Sequence, residues 1–308
     1  MTRLGPKTAT GVPATLGLQI TAGRVPTAPW TVHDGDGGSM RARADRLAVE
    51  EPLEIRLSAP VEDGGAPASS LSVSTLSVTM RTPGHDFELV AGFLYSEGVV
   101  SGRADIRRIA YCLDRDSDPE QRYNVVTAEL AGVARRTGLE RHVLTSSACG
   151  VCGSASIESV RGRARPALGP GPLISWERLA ALPELLASGQ RGFAATGGLH
   201  GAAIVSASGH VIALREDVGR HNAVDKVVGR AMLDDRLPLD DVALVVSGRV
   251  SFEIVQKSLQ AGIAFVAAVS AATSLAVRLA CESEMTLVGF VRGERCTVYS
   301  GRERIVGP

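Results

Sequence analysis

The chain has 308 residues, 44% of them hydrophobic and 21% charged, a balance that suits a folded globular protein and excludes a disordered one. Lys plus Arg equals Asp plus Glu at 33 each, so no global field draws the chain to nucleic acid or a membrane surface, and any anionic ligand must be met by a local basic cluster. Five cysteines, an odd count, argue against a disulfide framework and for a reducing compartment.

Residues 1–39 are rich in Thr, Pro and Gly without a sustained period, and read as an extended tail with Trp30 and Val32 as candidate tethers. Arg3 and Lys7 are followed by no apolar segment, so no secretory signal is expected. An N-terminal α+β domain is expected over residues 40–140. Leu53, Ile55 and Leu57 alternate with Glu54 and Arg56 as a half-buried strand does, and Val73 to Met80 alternates likewise beyond a Gly64-Gly65 turn. Thr82-Pro83-Gly84-His85-Asp86 announces a helix carrying Phe87, Val90, Phe93 and Leu94, which Gly98 closes. Val125 to Leu130 reads as a further strand.

A second, α/β domain is expected over residues 141–308. Ser175 can cap a helix over Leu179, Leu182, Leu185 and Leu186, although Pro183 should kink or split it. Ala202 to Ala207 and His210 to Leu214 flank Ser208-Gly209 as a hairpin. A helix over Val224, Val227, Val228, Ala231 and Met232 precedes the buried strand Val242 to Val246. Helices from Phe252 and Ser274 then alternate with strands Ala264 to Val269 and Thr286 to Val291. Such alternation predicts a three-layer α/β sheet with parallel neighbours. The longest apolar run, Ile263 to Ala272, is too short to span a bilayer, and the expected location is cytoplasmic.

Chemistry concentrates first in Ser146-Ser147-Ala148-Cys149-Gly150-Val151-Cys152-Gly153. Small residues and glycines cannot fill a core or stiffen a helix, so this stretch presents two thiols three residues apart. They suit zinc, a redox disulfide, or acceptance and transfer of sulfur, since the thiolate is both ligand and nucleophile. Cys112, Cys281 and Cys296 are lone residues without knuckle spacing, which weakens zinc. Missing βα context weakens a thioredoxin-like pair.

Three polar clusters follow. Thr196-Gly197-Gly198-Leu199-His200-Gly201 allows positive φ and close approach to an anion, or is simply a turn. Arg215-Glu216-Asp217-Val218-Gly219-Arg220-His221-Asn222-Ala223-Val224-Asp225-Lys226 falls between a strand and a helix, where unpaired N–H groups attract anions. It also reads as a loop whose Glu216, Asp217 and Asp225 neutralise the cations. Ser247-Gly248-Arg249-Val250-Ser251 occupies the next equivalent junction, so both are expected to face one crevice. Arg220, His221, Arg249 and Lys257 are its candidate cations, with His200 beside them. Phe290-Val291-Arg292-Gly293-Glu294-Arg295 sets two arginines around a glycine turn, suited to phosphate, although alone it reads as an ordinary charged hairpin.

Taken in order, Val49-Glu50-Glu51-Pro52-Leu53, Met80-Arg81-Thr82-Pro83-Gly84, Gly92-Phe93-Leu94-Tyr95-Ser96-Glu97-Gly98, the Ser147 to Gly153 loop, Thr196 to His200, Arg215 to Lys226 and Gly289-Phe290 resemble the formate dehydrogenase accessory sulfurtransferase family, FdhD. The resemblance implies a C-terminal core similar to the cytidine deaminase fold, starting with the CxxC loop. The H-x-E and P-C-x-x-C segments of zinc deaminases are absent, so neither a metal nor deaminase chemistry is implied. It also implies a sulfur carrier. Cys149 would accept persulfide sulfur from a cysteine desulfurase, with Cys152 as helper, and pass it to molybdenum in the bis(molybdopterin guanine dinucleotide) cofactor of the formate dehydrogenase catalytic subunit. Phe290, Val291, Arg292, Gly293, Glu294 and Arg295 would contact that cofactor, for which GDP or GMP is an analogue. A double nucleotide also suits a homodimer. The competing expectation is a chaperone that binds the molybdenum cofactor without catalysing transfer; a zinc-dependent deaminase is a third.

Overall fold

The computed structural model describes residues 26–35, 40–60, 71–112, 123–132 and 167–307. Cys149, Cys152 and the Gly64-Gly65 turn lie outside the described residues. Strands β1 (Thr27–Gly35) and β2 (Met40–Ala48) pair as an antiparallel ribbon, so the end of the expected tail is strand. Its period went unread because Ala42 and Ala44 alternate with Arg41 and Arg43, leaving no apolar face.

Strand β3 (Glu51–Pro60) pairs antiparallel with β4 (Leu71–Arg81). Helix α1 (Asp86–Ser96), β5 (Ile106–Tyr111) and β6 (Val125–Leu130) follow. They build a four-stranded sheet in the order β4-β3-β6-β5. The alternation seen in the sequence holds, with Leu53 and Ile55 fully buried.

The remainder runs β7 (Ile174–Ser175), α2 (Trp176–Gly189), α3 (Arg191–Thr196), β8 (His200–Ser206), β9 (Val211–Asp217), α4 (Arg220–Leu233), β10 (Val242–Val246), α5 (Phe252–Gln260), β11 (Phe265–Ala268), α6 (Ser274–Glu282), β12 (Thr286–Arg292), β13 (Arg295–Ser300) and β14 (Ile305–Val306). The Ser175 hydroxyl caps α2 by accepting the Arg178 N–H at 3.3 Å. Pro183 does not split α2, which continues to Gly189. Six strands form one sheet in the order β13-β12-β11-β10-β8-β9. Only the β10–β11 and β11–β12 pairings are parallel; the β8–β9, β8–β10 and β12–β13 pairings are antiparallel, so the sheet is mixed rather than parallel throughout.

Both faces of this sheet are covered, and period-two alternation sorts its side chains. Ala203, Val205, Ala243, Val245, Phe265 and Ala267 pack with Leu179, Leu182 and Leu186 of α2. Ala202, Ile204, Val242, Leu244, Val246 and Val266 face α4, α5 and α6 instead. Two covered faces explain the continuous apolar runs of β10 and β11.

The second of these apolar clusters continues through α1 into Leu53, Ile55, Val126 and Ala128, so the four-stranded sheet shares it. Helices α1 and α4 cross at two facing glycines. A Cβ on Gly92 would overlap the Asp225 carbonyl oxygen, and one on Gly229 would overlap the Glu88 carbonyl. Polar links surround the crossing. Ser96 donates to Asp225 at 2.9 Å, the Tyr95 hydroxyl donates to the Gln260 carbonyl at 2.9 Å, and the Arg215 guanidinium grips Glu88 at 2.6 and 2.8 Å.

Candidate functional site

Strand directions gather the candidate residues at one end of the six-stranded sheet. His200 opens β8 opposite Asp217, the last residue of β9, and Ala202 pairs with Val246 at the end of β10. The carboxyl ends of β9, β10, β11 and β12 therefore meet the amino end of β8 and the first turn of α4. Ligands of α/β sheets collect at such ends.

The polar run Arg215 to Lys226 divides into two sets. Most of it is internal scaffolding. Glu216 accepts the N–H groups of Gly192 and Phe193 at 2.8 and 2.7 Å, capping α3. Asp217 pairs with Lys226 at 2.7 Å and accepts from Thr82, Gly219 and Asn222. Asn222 donates to the Met80 carbonyl at 2.8 Å, while Lys226 donates to the Thr82 carbonyl at 2.9 Å. The segment Met80 to Thr82 is thus docked on α4 rather than serving only as a helix start. Lys257 was expected as a ligand cation; its ammonium is instead held by both Asp225 oxygens at 2.8 Å. Asp217 and Asp225 do neutralise cations, namely Lys226 and Lys257, whereas the Glu216 carboxylate is turned to backbone N–H groups.

Arg220 and His221 form the other set. The Nε of Arg220 is fully buried with no hydrogen-bond partner among the described residues. A Cβ on Gly248 would stand 3.1 Å from His200 Nδ1 and 3.7 Å from the Arg220 Cβ, so this glycine lets both junctions close on each other. Arg249, exposed, adds a second guanidinium near His200. Burial, then Arg220 and Arg249, push the His200 pKa below its ordinary value, against Asp217.

The other imidazole, His221, places Nε2 3.0 Å from the Ser251 hydroxyl and 3.8 Å from a Glu253 oxygen. Burial, with Arg220 and Lys257 adding to it, pulls His221 from 6.5 down to about 4, against the opposing pull of Glu253. The ring is therefore neutral near pH 7. Between pH 6.5 and about 4 the unfolded chain binds a proton that the folded protein refuses. Stability consequently falls as pH drops through that window and is unaffected above it. A His221→Gln protein should lose less stability than the parent between pH 7.5 and 4, by on the order of 2 kcal/mol in urea unfolding. Parallel pH profiles for the two proteins would refute this.

The remaining candidates are arranged differently. The Thr196 to Gly201 stretch is a turn, not an anion cradle. Gly197 (φ 68°) ends α3 and donates to Phe193, Gly198 donates to the Thr196 hydroxyl, and Gly201 donates to the Ser247 hydroxyl. Phe290 to Arg295 forms the β12–β13 hairpin at the same sheet end, with Arg292 opposite Arg295. It stands three strand positions from β8, about 14 Å at ordinary spacing. Phe290 is exposed in the left-handed region at φ 52°, a conformation costly for a bulky residue. Its N–H donates to the Ser270 carbonyl at 3.0 Å. The structure thus brings His200, Arg220, His221 and Arg249 together and sets the hairpin across the same edge. Ser251 and Glu253 were missed as partners of His221; their place at the start of α5, one turn beyond β10, was the available signal. Among the described residues no three His, Cys, Asp or Glu side chains are grouped to hold a metal ion. No helix among them is long and apolar enough to cross a membrane.

Comparison with known proteins places this arrangement in context. Residues 49–306 match the model of the FdhD/NarQ family. The sulfur carrier protein FdhD of Streptomyces coelicolor is 48% identical over 272 residues, covering 87% of this chain and 92% of that relative. Its namesake in Nocardia farcinica is 47% identical over 286 residues, covering 92% and 96%. A crystal structure of a candidate formate dehydrogenase accessory protein from Desulfotalea psychrophila superposes with a TM-score of 0.67 at 22% identity, covering 91% of this chain and 99% of that one, a likeness of fold.

Proposed function

Because the chain belongs to the FdhD/NarQ family, we propose that it is a sulfur carrier, a sulfurtransferase that matures the molybdenum cofactor of formate dehydrogenase. The observation that carries this reading is the cationic crevice at the first turn of α4, where the buried Arg220 Nε has no acceptor among the described residues. A donor that has left water without finding a partner costs about 1–3 kcal/mol, and an anionic ligand recovers it. Arg249 and His200 stand beside it, and the arginines of the β12–β13 hairpin reach the same edge. Phosphate groups at both places suit a ligand with two nucleotide halves.

The substrate in this reading is the bis(molybdopterin guanine dinucleotide) cofactor. The partners are a cysteine desulfurase as donor and the catalytic subunit of formate dehydrogenase as recipient, in the cytoplasm. The Cys149 thiolate attacks the terminal sulfur of the donor's persulfide; a new S–S bond forms, the old one breaks, and the donor leaves as thiolate. Cys152 assists. A homodimer, each protomer taking one guanine half, fits the ligand's symmetry. The six-stranded sheet covered on both faces supports the likeness to the cytidine deaminase core, and the two sheets are the centres of the two domains.

GDP tests the crevice. Arg220→Ala should weaken GDP binding roughly 10- to 100-fold by calorimetry, the value of a charge-assisted hydrogen bond. Arg249→Ala should cost less, being exposed. Unchanged affinity in Arg220→Ala would reject this crevice as the nucleotide site.

A further inference from the structure

His200 opens β8 at the crevice, and its imidazole lies against Gly248, where an added Cβ would stand 3.1 Å from Nδ1. The same point is 3.7 Å from the Arg220 Cβ, so the ring and the root of Arg220 flank one glycine. The ring is half-buried, and neither of its nitrogens has a hydrogen-bond partner among the described residues. The buried Arg220 Nε has no acceptor there either. One permanently charged group and one that can become charged therefore share this wall with their polar atoms unanswered.

Charged and titratable groups face His200 from each neighbouring element. Helix α4 contributes Arg220 and the neutral His221, and the loop after β10 contributes Arg249, next in sequence to Gly248. Lys257 and Glu253 of α5 stand behind His221. Strand β9 contributes Asp217, directly across from His200, but that carboxylate is buried and already paired with Lys226 at 2.7 Å. The surplus around the empty crevice is therefore positive. Burial, Arg220 and Arg249 hold the ring below its ordinary pKa, against Asp217, so it is neutral near pH 7. A phosphate on Arg220 reverses the sign of that surplus, and an opposite charge at such range favours the protonated ring.

We propose that His200 takes up a proton from solvent when the phosphate of a nucleotide diester settles on Arg220, so that a third cation, an imidazolium donating to the ligand, exists only in the bound state. This rests on the nucleotide crevice described above and adds how that site answers its ligand's charge. A permanent third cation would repel Arg220 and Arg249 in the empty protein; a conditional one brings no repulsion until a ligand offsets it. Because uptake accompanies binding, affinity rises as pH falls between 8 and 6, with a slope equal to the number of protons taken up. Uptake of about half a proton near pH 7 corresponds to about threefold in affinity per pH unit. Guanosine, which carries no charge, elicits no uptake.

GDP-mannose is the probe, because its pyrophosphate is a diester with no group ionising near neutrality, whereas the terminal phosphate of GDP titrates there itself. Calorimetry of the full-length protein at pH 7 in PIPES, MOPS and Tris, whose ionisation enthalpies differ, reads proton uptake as the slope of the apparent enthalpy. The parent should take up on the order of half a proton, and its affinity should rise about threefold from pH 7.5 to 6.5. His200→Gln, which keeps an amide donor, should bind with no uptake and a flat pH profile, while His221→Gln should keep the uptake. The Cε1–H resonance of His200, identified by its loss in His200→Gln, should move toward the imidazolium position when GDP-mannose is added at pH 7. Binding to the parent without proton uptake, or uptake that survives in His200→Gln, would overturn the proposal. Failure of the crevice itself looks different: Arg220→Ala would leave GDP-mannose binding intact, or the parent would not bind it, and the role of His200 would fall with it. If Arg220→Ala weakened binding but the parent took up no proton, only the role of His200 would fail.

Discussion

Cys149→Ala is expected to yield a folded protein that binds GDP like the parent and activates no formate dehydrogenase. After incubation with a cysteine desulfurase and cysteine, the parent should gain ~32 Da that a reductant removes, and the variant should gain nothing at this position. The reason is elementary: transfer needs a thiolate to attack and a sulfur to bear the persulfide, and alanine has neither. The loss should be complete rather than graded. Activation surviving in Cys149→Ala would move the function to cofactor delivery, with the crevice as the working part. A persulfide on Cys149→Ala that disappears in Cys152→Ala would exchange the roles of the two cysteines.

Gly92→Ala and Gly229→Ala should be the most damaging single-methyl changes in the described chain. Alanine in a helix interior is ordinarily favoured over glycine by about 1 kcal/mol. Here the added carbon meets backbone. On Gly92 it overlaps the Asp225 carbonyl and comes within 2.9 Å of the Gly229 nitrogen; on Gly229 it overlaps the Glu88 carbonyl and lies 2.6 Å from the Gly92 nitrogen. No rotamer relieves such a contact, so α1 and α4 must part, taking the Ser96–Asp225 and Arg215–Glu88 links with them. Overpacking of 1–3 kcal/mol and the broken polar links together exceed about 3 kcal/mol, much of an ordinary domain's margin. Gly102→Ala is the control, since a Cβ there meets nothing within 4 Å and its backbone is extended. The measurement is soluble yield and thermal midpoint; a Gly92→Ala protein melting with the parent would show that the helices do not touch this closely.

What the sequence revealed followed the physics of each signal. Strand β10 was legible because five consecutive apolar residues at Val242 to Val246 can only serve a sheet covered on both faces. Helix α4 was legible from the spacing of Val224, Val227, Val228 and Ala231. The facing glycines were not, because each alone reads as a mild helix defect and their meaning lies in their pairing. The charges of Arg215 to Lys226 were only half legible. Arg215 finds its partner Glu88 127 residues away, and nothing local tells a cation spent on the scaffold from one kept for a ligand. The same blindness made Lys257 look available. Conversely, Arg220 stood out at the right junction, since a helix start after a strand is a local pattern. The antiparallel pairing of β13 with β12 was legible as the hairpin that the glycine turn at Gly293 suggests, whereas the antiparallel place of β8 between β9 and β10 was not, as alternation along a chain carries no direction.

The glycine contact has a further consequence for recognition. It fixes α4 along its middle, so the first turn, with Arg220 and His221, is anchored by a helix that cannot slide or tilt independently of the core. Ordering a long side chain and its backbone on binding usually consumes about 0.5–1.5 kcal/mol per group. Here much of that loss is incurred during folding, and the crevice meets its ligand already preorganised. Tight backbone packing far from any ligand atom thereby contributes to affinity.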